Sequence, residues 1–271
     1  MAQRSLIGDP VIETFGLTRR FGTLTTIDAA SLRVASGEIF GLIGPNGAGK
    51  SMLIKRLTTM LPPSEGRASV AGSDLRSQAA EVRRRIGYVP HLLSAAGDLT
   101  GYENVLLCAR LYLVPRKERE QRIRDARARM GLTEVRDRLA RQYSGGMIRR
   151  LETAQSTLHS RAIIFLDEPT EGRDPLGRHT VWLHVLDLRA RLASAVVVTT
   201  HYMDEADMLC NRIALLDHGR ISVIDTRSAL KERLGRHAAL DDVFAEMTGE
   251  SSDRGTYRDV RRARRAAREH A

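Results

Sequence analysis

The stretch GPNGAGKS, from Gly44 to Ser51, places glycines, a lysine and a hydroxyl at the spacing G-x-x-x-x-G-K-[ST]. Glycine lets successive backbone N–H groups converge on one anion, lysine reaches the outer oxygens of a polyphosphate, and the serine hydroxyl is a ligand for Mg²⁺. The chemistry this implies is a grip on a nucleotide's phosphates by Gly44, Pro45, Asn46, Gly47, Ala48, Gly49, Lys50 and Ser51. A second stretch, FLDEP at 165–169, ends an apolar run in two acids. Asp167 is placed to hold the metal through water, and Glu168 to polarise an attacking water. His201 follows VVVTT directly, at the tip of another apolar run. A histidine there is either structural or a hydrogen-bonding partner for a terminal phosphate. The stretch YSGGMIRR, 143–150, has the make-up of another phosphate-gripping loop, with Ser144, Gly145 and Gly146 opening a run of helical composition. One short chain thus carries two such loops, far apart in sequence.

The elements that must position these residues can be read from hydropathy. IFGLI (39–43) is a buried-strand run leading into the first loop, and MLIKRLTTML (52–61) is the helix after it, stopped by Pro62-Pro63 and Gly66. Residues 11–41 alternate like strands around a turn at Ser36-Gly37, and RASVAG with RRIGYVP is expected to form a strand pair. The middle of the chain is helical. Thr100 and Glu103 spell a capping box ahead of ENVLLCARLYLV. Ile123, Ala126 and Met130 share one face of an Arg/Glu-rich helix closing at Gly131. AIIFLD and SAVVVTT are further buried strands, and RIALLDHGRISVI is a strand pair turning at His218-Gly219.

Composition narrows the partners. At 271 residues and 30.1 kDa the chain suits one large α/β domain, or a domain with a lobe attached. The net charge of +10 is a weak pointer to nucleic acid, because arginine is spread throughout and lysine occurs only at Lys50, Lys55, Lys117 and Lys231. The exception is 251–271, with seven arginines against Asp253, Asp259 and Glu269. That tail reads as a solvated end or as a contact for anionic lipid headgroups. Cys108 and Cys210 share no metal-ligand spacing and are expected to be free thiols. The N-terminus lacks an apolar signal core, and no apolar run approaches the roughly 18 residues of a membrane span.

The order GPNGAGKS, GYVP, YSGGM, FLDEPTEGRDP and VVTTHYMDEAD resembles the ATP-binding subunits of ABC transporters, over about residues 10–245. TTHYMDEAD and LDDVF (240–244) look most like the drug-export and nodulation-type branch. The resemblance implies an α/β P-loop NTPase (RecA-like) core with an N-terminal antiparallel β subdomain and an inserted α-helical lobe at about 92–158. The ATP-binding domain is expected over 1–245, with a basic tail at 246–271. The implied cofactors are ATP and Mg²⁺, with Ser51, Asp167 and His91 as metal-side residues and Glu168, His201 and His91 as catalytic ones. Phe21 matches the aromatic that stacks on adenine, its other reading being an ordinary core residue. Asp174 matches the acid that communicates across a dimer.

In this family two subunits meet head to tail, and the Ser144–Gly146 loop of one closes over the nucleotide held by Gly44–Ser51 of the other. The implied partners are therefore a second copy or a homologous ATPase subunit, and an integral-membrane permease at the cytoplasmic face of the cell membrane. The cargo class implied is a hydrophobic drug-like molecule or lipid-linked glycan. Three departures stand out: His91 in place of a glutamine that touches the metal or the attacking water, Arg173 with the added acid Glu171, and Met52 in place of a second hydroxyl. His91 and Arg173 motivate an alternative, a nucleotide-clamped module with slow or no turnover. A non-transport relative acting on nucleic acid is the third reading, supported only by the basic tail. Such relatives usually carry tandem copies or a coiled-coil insertion, and this chain has neither, so nucleic acid is not an expected partner.

Overall fold

The computed structural model describes residues 9–91, 95–112, 114–158, 162–172, 174–192, 194–234 and 239–248. Arg173 and the arginine-rich segment 251–271, with the lipid contact read from it, lie outside the described residues.

The strands in chain order are β1 (Pro10–Phe21), β2 (Leu24–Ala30), β3 (Arg33–Ala35), β4 (Ile39–Ile43), β5 (Glu65–Val70), β6 (Ser73–Asp74), β7 (Ile86–Val89), β8 (Ile163–Asp167), β9 (Ala195–Thr200), β10 (Arg212–Asp217) and β11 (Arg220–Thr226). The helices are α1 (Lys50–Leu57), α2 (Ala79–Arg85), α3 (Gly101–Leu111), α4 (Arg116–Arg129), α5 (Gly145–Ser156), α6 (Pro175–Leu192), α7 (Met203–Leu209), α8 (Arg227–Glu232) and α9 (Leu240–Thr248). The chain divides between Arg227 and Ser228 into two compact units. In the second, Asp242 caps the start of α9 by accepting the Ala239 N–H at 3.0 Å.

The first unit holds two sheets. The smaller is antiparallel, ordered β2-β1-β5-β6 with β3 also on β1. The larger runs β11-β10-β4-β9-β8-β7, with every neighbouring pair parallel except the β10–β11 hairpin. Strands β4, β8 and β9 are buried at every residue, as continuous apolar runs in a sheet covered on both faces should be. One aliphatic core joins Ile12, Leu17, Ile27 and Val34 of the small sheet to Phe40, Phe165 and Val197 of the large one, with Leu53, Ile54 and Leu57 of α1 in the same cluster. Each such side chain contributes about 1.5–3 kcal/mol by leaving water.

One expectation needs correction. RASVAG and RRIGYVP do not pair. The first is β5, bonded to β1 in the small sheet, and the second contains β7, bonded to β8 in the large one. The helix α2 intervenes, and its polar sequence AAEVRRR buries Val82 alone.

The helical lobe has a core of its own, in which Val105 and Ala109 of α3, Ile123 and Ala126 of α4, Met130, and Leu151 and Ala154 of α5 pack together. Its first helix starts at the predicted capping box: Glu103 N–H donates to Thr100 Oγ1 at 3.1 Å, and Thr100 N–H donates to Glu103 Oε2 at 2.8 Å. Losing such a cap costs about 1 kcal/mol. The result is a sheet whose strand ends carry the chemistry, with a separately cored lobe presenting the second glycine loop. No helix among the described residues is long and apolar enough to cross a membrane.

Candidate active site

Where β4 ends, the chain turns through Gly44 to Gly49 into α1. Gly47 and Gly49 take φ of +85° and +103°, a region open to glycine. A Cβ on Gly44 would lie 2.0 Å from the Leu216 carbonyl oxygen, and one on Gly49 2.7 Å from that of Thr26. The backbone is therefore packed hard against β10 and β2, and those two positions admit no side chain. The β10–β11 turn closes the loop from behind: Gly219 N–H donates to Ala48 O, and Asp28 N–H to Gly219 O, both at 2.9 Å. No side chain caps α1. Its first N–H groups are thus left for an anion, the role a helix N-terminus suits by its orphan donors and its dipole.

Lys50 is 4% exposed, and its Nζ donates to the carbonyls of Gly44 at 2.8 Å and Pro45 at 3.0 Å. It also lies 3.1 Å from Glu168 Oε1. The other carboxylate oxygen, Oε2, is 3.1 Å from His201 Nδ1, so the acid is held between a cation and an imidazole. Beside it, Ser51 Oγ donates to Asp167 Oδ1 at 2.9 Å. A hydroxyl and a carboxylate so placed form an all-oxygen donor set, which fits Mg²⁺.

Glu168 has φ of +48°, unusual for a residue with a side chain and costing on the order of 1–3 kcal/mol. Thr199 holds it there. The Glu168 N–H donates to Thr199 Oγ1 at 2.9 Å, while the Thr199 hydroxyl donates to Asp167 Oδ1 at 2.6 Å. Burial pushes the Glu168 carboxyl up, but a hydrogen bond with Glu171 and the cation of Lys50 outweigh it and hold the group below its ordinary value. At neutral pH it is a carboxylate, able to accept a proton.

His91 follows β7, and its Nδ1 lies 3.0 Å from Glu171 Oε2 without forming a hydrogen bond to it. Burial and then the neighbouring Glu168 push Glu171 above the usual carboxylate range. Ligand atoms of His91, Glu168 and Glu171 lie within 4.8 Å of one another, a cluster that does not include Asp167. The backbone here is gripped by Arg149 of α5, whose guanidinium donates to the carbonyl of Pro90 and, at 2.6 Å, to that of His91. Met52, the third departure, accepts a hydrogen bond from Arg56 through its sulfur at 3.2 Å and leaves Ser51 as the hydroxyl of the pair.

The other predicted residues stand apart from this constellation. Phe21 closes β1 at 42% exposure, so it is not an ordinary core residue, and the Arg19 guanidinium lies 4.3 Å from its ring centre. Ser144 is exposed and caps α5, its Oγ accepting from Met147 N–H at 3.3 Å. A Cβ on Gly145 would meet nothing within 4 Å. Asp174 is exposed and caps α6, Oδ1 accepting from Gly177 N–H at 2.6 Å. The structure brings Lys50, Ser51, Asp167, Glu168 and His201 to one place. Sequence reasoning missed Thr199, Arg149 and Gly219. The hydroxyl pair ending VVVTT was the available signal for Thr199; Arg149 and Gly219 act across distances that no local pattern shows.

Known proteins share this arrangement. A sequence profile described as "ABC transporter" matches residues 27–171. The daunorubicin/doxorubicin resistance ATP-binding protein DrrA of Streptomyces peucetius is 41% identical over 224 residues, 83% of this chain and 68% of that one. Nod factor export ATP-binding protein I of Sinorhizobium fredii is 36% identical over 84% of this chain and 66% of its own length. A solved structure described as the ATP binding subunit of an ABC transporter superposes with a TM-score of 0.80 at 26% identity, over 88% of this chain and 99% of that one. A second, a dimeric ATP-binding cassette in a post-hydrolysis state bound to ADP and phosphate, has a TM-score of 0.72 at 23% identity over 79% and 98%, and speaks to the fold alone.

Proposed function

The chain belongs to the ABC transporter family, as an ATP-binding subunit that hydrolyses ATP to power a membrane permease, and from that premise we propose how its residues divide the work. The Gly44–Ser51 loop holds the phosphates of ATP, with Lys50 exchanging its contacts to the Gly44 and Pro45 carbonyls for the outer phosphate oxygens. Ser51 and Asp167 hold Mg²⁺, which supplies charge neutralisation at those oxygens. Glu168, ionised and fixed between Lys50 and His201, takes the proton of the attacking water. His201 steadies that carboxylate and faces the terminal phosphate. Phe21 stacks on adenine. His91 acts on the reaction through Glu171, which it approaches at 3.0 Å.

The Ser144–Gly146 loop serves the nucleotide of a second copy, and Asp174 faces that copy too. The observation that carries this is the difference between the loops: the first is closed in by its own chain, while the second is exposed with its serine spent on its own helix. The permease places the subunit peripherally on the cytoplasmic face of the membrane. Drug resistance and Nod factor export in the names of the relatives favour a hydrophobic small molecule or lipid-linked glycan as cargo. The cargo is read by the permease.

The test is light scattering and phosphate release with ATP and Mg²⁺. Glu168→Gln keeps both loops intact and removes the base, so a persistent dimer is expected, with turnover reduced roughly 10²–10⁴-fold. A Glu168→Gln protein that stays monomeric at saturating ATP would refute the shared site.

A further inference from the structure

We propose that Glu205 is a positioning residue that fixes His201 against Glu168 and makes that alignment answer to the Asp174 loop. The inference rests on the shared-site reading above.

Glu205, in α7, is fully buried, and its carboxylate gathers three donors, one from a loop, one from a helix and one from a strand. Oε2 accepts from Thr170 Oγ1 at 3.0 Å, and Oε1 from Trp182 Nε1 at 3.2 Å. The Thr200 side chain is the third partner. Thr170 lies two residues beyond Glu168, Thr200 immediately precedes His201, and Trp182 belongs to α6. One side chain thus ties together the backbone on both sides of the 3.1 Å contact between Glu168 and His201.

A second tie runs parallel to it. Arg178, four residues before Trp182 and so on the same face of α6, pairs with Asp204, the neighbour of Glu205. Its guanidinium also stacks 4.1 Å from the ring centre of Tyr202, which in turn packs on His201 at 4.1 Å between ring centres. Helix α6 is capped by Asp174 itself, through Gly177 N–H at 2.6 Å, and Arg178 N–H donates to the Asp174 carbonyl at 3.0 Å. The path is therefore continuous: Asp174 opens α6, Arg178 and Trp182 of α6 hold Asp204 and Glu205, and these frame His201. A partner subunit that shifts the Asp174 loop must move the first turns of α6, and the buried carboxylate carries that shift to His201. Glu205, Thr170 and Thr200 are buried, and leaving any of them unpaired is costly, whereas Asp204 is largely exposed, so the Glu205 links are the stiff part of the path.

Two conservative changes test this. Trp182→Phe deletes one N–H donor and keeps the aromatic bulk; Glu205→Gln keeps the shape and turns one acceptor into a donor. For both, kcat is expected to fall about ten- to a hundred-fold, the size of effect a misplaced catalytic group has, while KM for ATP stays within about twofold. In protein carrying ¹³C-labelled histidine rings, the signals of His201, identified by their loss in His201→Ala, should move in both variants without nucleotide present. Unchanged kcat together with unmoved His201 signals would overturn the proposal. If Glu205→Gln loses its cooperative melt, Trp182→Phe decides alone. A Glu168→Gln chain that stays monomeric at saturating ATP would overturn the shared-site reading instead, and the histidine signals would still decide whether Glu205 positions the ring.

Discussion

In the loop from Gly44 to Ser51, a methyl group on Gly44 would press within 2.0 Å of a carbonyl oxygen and one on Gly49 within 2.7 Å; on Gly145, in the other glycine loop, it would meet nothing within 4 Å. The cation of the first loop is buried and bonded, whereas the serine of the second is exposed. A glycine required by its own fold and a glycine the fold does not require look identical in sequence. The first pair is explained by packing. The second is left to be explained by something that approaches from outside the chain, and a partner's nucleotide is what the proposed function supplies.

That contrast can be broken most severely at Ser144. Ser144→Arg puts a bulky cation where the second loop would close on a partner, at a position exposed within its own chain. Dimer formation with ATP and Mg²⁺ and turnover are expected to fall roughly a hundred-fold or more, the scale of losing a preorganised transition-state contact. Binding of a fluorescent ATP analogue to the single chain should stay within about twofold. Equal loss of both would mean that the loop acts within its own chain.

The next effect is on stability. Gly49→Ala forces a side chain into a positive-φ backbone and against the Thr26 carbonyl, so a loss of more than about 2 kcal/mol is expected in urea unfolding. Gly145→Ala should do the opposite. It places a better helix former in the first turn of α5 and should gain up to about 0.5 kcal/mol, while ATP-driven dimerisation weakens. Destabilisation by both would erase the distinction between the loops.

The smallest effect sharpens the first site. Burial, then the carboxylate of Glu168, raises the pKa of Glu171. A carboxyl raised on folding contributes stability below its unfolded pKa and loses it as pH rises through its folded one. Glu171→Gln is therefore expected to melt about 1 °C higher than the wild type at pH 7, with the gain shrinking as pH falls toward about 4. A higher melting point that persists unchanged in acid would assign the effect to packing.

The part of this site legible in sequence is the part built from neighbours along the chain. Gly44–Ser51 is one contiguous grip, and Asp167-Glu168 is the end of one buried strand, so local spacing carries their meaning. Thr199, which fixes the strained backbone of Glu168, belongs to another strand, and only the sheet order β9-β8 brings it there. The contact of His91 with Glu171 is equally invisible there, although both residues depart from the family pattern. Strand pairing misled for the same reason. β5 and β7 are separated only by the short β6 and α2, but β5 bonds β1 and β6 in the small sheet while β7 bonds β8 in the large one, so the core and not closeness in the chain keeps them apart.

The backing of the first loop by Leu216 and Gly219 has a consequence for how the protein is made. The Gly44–Ser51 segment leaves the ribosome early, yet its strand β4 pairs with β9 and β10, and Ile39 N–H bonds Asn211 across 172 residues. Closing contacts of such span is slow, and none can form before the later strands exist. A nascent chain paused short of residue 212 therefore carries the whole Gly44–Ser51 segment and its β2 wall but lacks the β10 wall that meets Gly44. The wall that β10 and its turn give this loop is set in place only after those later residues emerge.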